Sequence, residues 1–332
     1  MRTSKKLMSA LLMLFTLVVG SGAALAADPG LVYPPTSEAS DQKAGSVLFY
    51  NYYTSSGAQP GNRDTRICIT NTSSTSAAFV HLFWVDGDTC SVADSFICLT
   101  ANQTACFLAS EFDPDVTGYV VAVAVDGVLG CPVSFNHLIG DEYFKQPPGH
   151  HANLGAVAFA ALYNGVLPGC DANSVTATLA FDGVSYNRTP RVLAVSSIPS
   201  RADGNDTLLI INRVGGDLLT GAARIGSIFG ILYNDSEDPL SFTFIANVCQ
   251  YRNFLSNGFP RTTPRFERFI PAGHSGWMKF WSPSDIGLLG AVVNNNDGSE
   301  GQDDAFSGGH NLHHLTLTTG ASYIVPVFPP RC

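Results

Sequence analysis

A chain of 332 residues that is 45% hydrophobic and 14% charged can bury a core, and it carries far fewer charges than the roughly 25% of an average soluble protein. That balance excludes whole-chain disorder, collagen and coiled coil. The formal charge of −9 makes nucleic acid an unfavourable partner, because an acidic surface repels phosphate.

In chain order, the first element is an export signal. Arg2, Lys5 and Lys6 form a basic start, Leu7 to Val19 is almost wholly apolar, and Ala24-Leu25-Ala26 offers small residues for cleavage. The apolar run of about 13 residues is shorter than the roughly 20 a helix needs to span a bilayer. Residues 1–26 are therefore read as a signal peptide, with no membrane insertion after cleavage. Removing them leaves 15 basic and 27 acidic residues. Residues 27–45, with Pro34-Pro35 and small polar residues, read as a flexible leader. Joined to the aromatic run Ser46 to Tyr53, that leader is a candidate to add itself to a sheet edge on a neighbouring molecule.

The remainder reads as strand. Short apolar or alternating stretches fall at 46–53, 65–70, 78–85, 95–100, 105–109, 118–125 and 133–139, separated by turn residues such as Asp86-Gly87-Asp88 and Asp126-Gly127. Residues 150–190 read as a connector, with a short helix over Asn153 to Tyr163 and a hairpin at Asp182-Gly183. Strands resume at 191–198, 207–213, 227–234, 241–248, 266–271, 276–282, 287–293 and 313–328.

These halves resemble each other. Val47-Leu48 answers Val192-Leu193, and Gly61 to Asn71 answers Gly204 to Asn212. Val80 to Asp86 answers Phe229 to Asp235, and Asp113 to Val123 answers Ser282 to Val292. Ordered matches of this kind predict an internal duplication. The expected fold is all-β: two tandem antiparallel β-sandwiches, immunoglobulin-like or jelly-roll-like, over 46–149 and 191–332.

All eight cysteines, Cys68, Cys90, Cys98, Cys106, Cys131, Cys170, Cys249 and Cys332, lie beyond the signal. An even count in an exported chain reads as disulfides, and no C-x-x-C pair favours zinc. Connectivity among eight is open; Cys249 with Cys332 is the one expected pair, as the only two in the C-terminal half.

Candidate chemistry is sparse. Gly273-His274-Ser275-Gly276 lacks the G-x-S-x-G spacing of a nucleophile elbow and reads as a turn. His310, His313 and His314 could share a metal only in a turn, since His310 and His314 stand about 13 Å apart along a strand. The loop Asn294 to Asp304 gathers hard oxygen ligands, with Asp297, Glu300, Asp303 and Asp304 as candidate calcium ligands. Gly298 falls at the fifth position rather than the sixth of an EF-hand loop, and a solvated acidic loop is the competing reading. Tyr50, Tyr52, Tyr53 and Trp277 could stack on sugars or pair across strands. The sequons at Asn71, Asn102, Asn187, Asn205 and Asn234 are not read as glycan sites, because such triplets are common by chance in a Ser/Thr-rich chain and the short signal sequence looks bacterial.

The run Asp64-Thr65-Arg66-Ile67-Cys68-Ile69-Thr70-Asn71-Thr72-Ser73 resembles the start of β-sandwich modules in uncharacterised secreted bacterial proteins. The resemblance implies an extracellular module and carries no catalytic residues. The expectation is an exported, non-enzymatic structural or adhesive protein, such as a subunit of an extracellular fibre assembled head to tail or of a surface layer, self-associating or bound to a cell-surface partner, with no cofactor except calcium as a candidate. A glycan- or calcium-binding secreted module is the alternative, and an unrecognised hydrolase the third.

Overall fold

A computed structural model describes residues 28–32, 38–296 and 307–331. Residues 1–26, expected as a signal peptide, the four candidate calcium ligands and Cys332 lie outside the described residues. Strand makes up 55% of the chain and helix 4%, so the molecule is all-β, with antiparallel pairing throughout its sheets except for one short parallel pair, residues 216–217 with 323–324.

The first set of elements is β1 (Val47–Thr54), β2 (Asp64–Asn71), β3 (Ala78–Asp86), β4 (Val92–Leu99), β5 (Thr104–Leu108), the one-turn helix α1 (Ala109–Phe112), β6 (Thr117–Val125), β7 (Leu138–Gln146), β8 (His150–Gly155) and β9 (Val157–Phe159). They form a five-stranded sheet in the order β4-β3-β6-β1-β9 and a four-stranded sheet β5-β2-β7-β8. Every residue of β1 is buried, as its mostly apolar and aromatic composition, interrupted by Asn51 and ending in Thr54, suits a strand covered on both faces. Leu48, Tyr50, Leu82 and Trp84 meet Ile67 and Ile69 in one core. On the opposite face Phe49, Phe83, Val121 and Phe159 meet Leu179, Tyr323 and Val325 in another. Those last residues belong to β10 (Thr176–Ala180) and to the C-terminal strand, treated below.

The second set begins with β11 (Pro190–Pro199) and β12 (Asn205–Val214), followed by the small β13 (Gly216–Asp217) and β14 (Gly221–Ala222). It continues with β15 (Gly226–Asn234), β16 (Pro239–Ala246), β17 (Gln250–Phe254), helix α2 (Phe266–Phe269), β18 (Ser275–Trp281), β19 (Gly287–Asn296), β20 (Gly308–Asn311), β21 (His313–Leu317) and β22 (Ser322–Pro326). Its sheets run β16-β15-β18-β11-β21 and β17-β12-β19-β20, and a further sheet runs β10-β22-β13-β14. The two five-stranded orders coincide when β1, β3, β4, β6 and β9 are replaced by β11, β15, β16, β18 and β21. The four-stranded orders coincide likewise, and one short helix precedes β6 and β18 alike. Even the register break repeats: β1 against β6 slips between Tyr50 and Tyr53, and β11 against β18 slips between Val195 and Ile198.

Several expectations are corrected. Residues 153–163, expected as helix, supply the end of β8 and all of β9; burial alternates from His150 to Leu154, and pairing with β7 and β1 overrides the helix propensity of alanine. Residues 150–190 are accordingly not a plain connector, since β8 and β9 complete the first two sheets and β10 pairs with β22. Asp182-Gly183 is a turn as expected, with the Asp182 carboxylate accepting from Val184 and Ser185 N–H, but it does not join two paired strands. Residues 266–269 are helix rather than strand. The stretch 313–328 divides into β21 and β22, which lie in different sheets.

The leader also behaves differently from expectation. Ala39 is buried, Ser40 bridges Ala158 of β9, Leu31 bridges Leu317 of β21, and Asp28 pairs with Lys279 at 2.6 Å. The aromatic strand it precedes is not a spare strand: β1 is central, hydrogen-bonded to β6 on one side and β9 on the other. No edge of β1 is left to pair with a neighbouring molecule.

Cys68–Cys106 joins β2 to β5, and Cys131–Cys170 ties the loops after β6 and β9. Cys249 bonds to Cys90, not Cys332, across 159 residues of sequence. Assigning pairs within a half failed because the two sets of sheets pack against each other, so the nearest thiol in space belongs to the other set. Cys98 is disulfide-bonded too, and none of the described cysteines is free.

Candidate functional site

Two polar regions interrupt the apolar packing. The first is a buried seam between the two sets of sheets. At the β1 register break the backbone around Asn51 turns away from ladder pairing and its polar groups seek side-chain partners. Asn212 Nδ2 donates to the Asn51 carbonyl at 2.9 Å and to its Oδ1 at 3.1 Å. Gln250 Nε2 donates to Asn51 O, Gly118 O and Asn212 Oδ1 at 2.8 to 3.0 Å. Gly118 is required there, since a Cβ would lie 1.8 Å from the Val85 carbonyl oxygen. Asn51 Nδ2 in turn donates to Asn311 Oδ1 at 2.8 Å, and Asn311 donates to Asp41 of the leader. Arg252 closes the rim with two 2.8 Å bonds to the Asp88 carboxylate. Beside the seam lies the fully buried Glu142, whose Oε1 accepts from Tyr52 N–H at 3.0 Å while Oε2 finds no partner. Burial raises its carboxyl well above the ordinary range, and backbone donors at Tyr52 and Asn51 only partly oppose that.

The second region is a cavity of about 540 Å³ at one end of the second set of sheets. The β11 register break leaves Ser197 at its wall, as the β1 break leaves Asn51 at the seam. Its floor is a ladder of amides and hydroxyls on β12 and β19. Thr207 Oγ1 donates to Asn294 Oδ1 at 2.9 Å, and Asn294 Nδ2 and Asn296 Nδ2 both donate to Asn205 Oδ1, at 2.8 and 3.1 Å. Asp203 accepts from Gly273 N–H at 2.8 Å, and His274 pairs through Nδ1 with Asp235. Such a lining offers neutral hydrogen-bonding groups with little fixed charge, which suits a hydroxyl-rich molecule better than a strongly ionic one.

The expected site residues are placed as follows. Gly273 to Gly276 is a turn leading into β18, and no hydrogen bond joins Ser275 to His274. The His310 and His313 rings lie 5.7 Å apart between centroids, tilted 46° to each other. They line a second groove of about 530 Å³ with His314 and residues Glu38 to Asp41. His314 is half-buried there, and desolvation lowers its imidazole from 6.5 to about 4. No group of three or more potential metal-ligating side chains comes together among the described residues. Tyr50, Tyr52 and Tyr53 are core residues, while Trp277 is half-buried and stacks on Tyr233 at 4.2 Å. Asn71, Asn187 and Asn205 are buried and hydrogen-bonded within the fold, so those sequons are closed.

Sequence reading missed the seam. Its signal is a single amide inside an otherwise apolar strand, Asn51 in VLFYNYYT and Asn212 after LLII, where an unpaired polar group would be costly. No protein-family model matches the chain, and no curated protein matches it.

Proposed function

We propose that this is an exported, non-enzymatic structural or adhesive protein, built as two β-sandwiches from an internal duplication and kin to secreted bacterial sandwich modules. The repeated strand orders, the repeated helix and the repeated register break support the duplication. In that reading β6 corresponds to β18, so matching Asp113–Val123 to Ser282–Val292 is one strand out of step. The other matches pair β1 with β11, β2 with β12 and β3 with β15, in step with the strand orders.

The observation that carries the proposal is the way the halves are joined. The Cys90–Cys249 bond, a buried amide seam and apolar packing of Tyr52, Phe144, Leu154, Leu208 and Ile210 tie the halves at several points among the described residues. A block fixed in this way suits transmission of load at a cell surface. It suits domain closure over a substrate poorly, since closure needs a few residues free to absorb the motion. Disulfides of this number fit an oxidising compartment outside the cytoplasm. The test is fractionation of cells expressing the tagged full chain, with thiol titration of the product. The expected result is a cleaved, thiol-free protein in the extracellular or surface fraction. A cytoplasmic, thiol-bearing product overturns the proposal.

A second reading, a glycan-binding module, is favoured by the cavity whose floor is the amide ladder on β12 and β19. Thermal shifts against neutral oligosaccharides, with calcium as a separate arm, test it. A saturable shift that Asn205→Ala abolishes would support this reading over the structural one.

A further inference from the structure

The five-stranded sheets have four edges, and the chain treats them unequally. The β9 edge is met by the leader, with Ser40 N–H donating to Ala158 O at 3.1 Å and Ala158 N–H returning at 2.8 Å. The β21 edge is met in the same way by Leu31 and Leu317, at 2.8 and 2.9 Å. On β4, Asp94 places a charge in the middle of the strand, where it pairs with His81, and Phe328 of the C-terminal tail packs on Phe96 at 5.5 Å. The fourth edge, β16, carries none of these protections. Its eight residues, PLSFTFIA, include no charge, and it pairs with β15 in unbroken register from Tyr233↔Pro239 to Gly226↔Ala246. No other described strand pairs with it. Ile245 stands 70% exposed on its outer face. Long, flat, uncharged edges are templates for another strand, and proteins that stay monomeric blunt them.

Resting on the structural reading above, we propose that β16 is a self-association edge whose partner is β16 of a second copy, antiparallel about a two-fold axis. Charge at the strand ends selects a second copy over an arbitrary peptide. The exposed Glu237 and Asp238 precede β16, while the exposed Arg224 sits at its far end, bonded to the Asn247 carbonyl. Antiparallel self-pairing centred on Thr243 brings the acidic end of each copy to the Arg224 end of the other, twice per dimer. The same register sets Ile245 opposite Ser241 of the second copy, so an exposed apolar side chain gains cross-strand neighbours. The contact is isologous and closes, and it extends two five-stranded sheets into one continuous sheet.

The test is sedimentation equilibrium of the cleaved full-length chain up to about 0.5 mM, a range set by the small area of a strand-only contact. The variants are Thr243→Lys, Arg224→Glu and the double Arg224→Glu/Asp238→Lys. Both Thr243 and Arg224 are exposed, so thermal melting should match wild type and show that folding is intact. We expect a reversible wild-type dimer, loss of dimer in Thr243→Lys, weakening by about tenfold in Arg224→Glu and recovery in the charge swap. Amide exchange along 240–246 should slow on dimerisation. A wild type that stays monomeric, or a Thr243→Lys variant that dimerises as wild type does, overturns this edge. Surface localisation in the fractionation above is unaffected by either outcome, so the two proposals fail separately.

Discussion

Replacing Cys90 and Cys249 with alanine tests whether the two sets of sheets unfold as one body. The bond closes 159 residues, against 38 for Cys68–Cys106. Chain entropy then assigns it about 5 kcal/mol at 25 °C, some 1.3 kcal/mol more than the shorter loop. That is a large share of the 5–15 kcal/mol typical of whole proteins. The seam amides and the packing of Tyr52 and Phe144 on Leu208 and Ile210 survive the substitution, so the halves should stay coupled. Urea unfolding has built-in probes, because Trp84 reports on the first set of sheets and Trp277 and Trp281 on the second. A Trp84→Phe background isolates the second set. We expect one transition, shifted to lower urea, with both probes coincident, and a loss exceeding that of the matched Cys68/Cys106 variant. Two separated transitions would refute the rigid seam. A loss smaller than that of the short loop would refute the entropic argument.

Three further perturbations follow from buried groups and from the leader. Glu142→Gln should flatten the pH dependence of stability: burial raises the native carboxyl above its ordinary 4.5, so its contribution is complete below that value and is lost as pH climbs, by up to about 1.4 kcal/mol per unit. Parallel wild-type and variant profiles between pH 5 and about 8 would contradict this. His314→Asn should have the opposite signature, because a native imidazole lowered from 6.5 to about 4 contributes stability above 6.5 that is lost as pH falls toward 4; denaturant midpoints across that window measure it. Deleting residues 27–45 should lower the melting temperature and raise aggregation, since it uncovers the β9 and β21 edges at Ala158 and Leu317, and a deletion that reduces association would reverse the reasoning.

How much of this could be read from the chain differs by level. Strand positions were legible where a strand is buried on one or both faces, as at 118–125, because burial imposes a continuous or alternating apolar pattern. The alanine-rich stretch 153–163 misled because its conformation is decided by strand partners, β7 for residues 153–155 and, more than a hundred residues earlier in the chain, Phe49 and Leu48 for Val157 and Ala158. The Cys249 partner was hidden for the same reason. Nothing local to Cys249 shows that the loop holding Cys90 packs beside it. The seam was marked only by amides in apolar strands, and their number does not say which carbonyls they face.

The placement of the chain ends bears on how such a molecule can form. β10 pairs with β22, joining residues 176–180 to 322–326, and the leader joins Leu31 to Leu317. Phe49, Phe83 and Val121 therefore lack their outer cover until the last strand has arrived. A chain emerging from the ribosome in sequence order exposes that apolar face for most of its synthesis. Contacts this distant in sequence are slow to form, and exposed faces and edges associate wrongly in the meantime. Covering β9 and β21 with the leader answers part of the hazard, because those residues precede every described strand in the sequence. The edge at β16 has no such cover, and its end charges favour a second copy of the same strand over other partners.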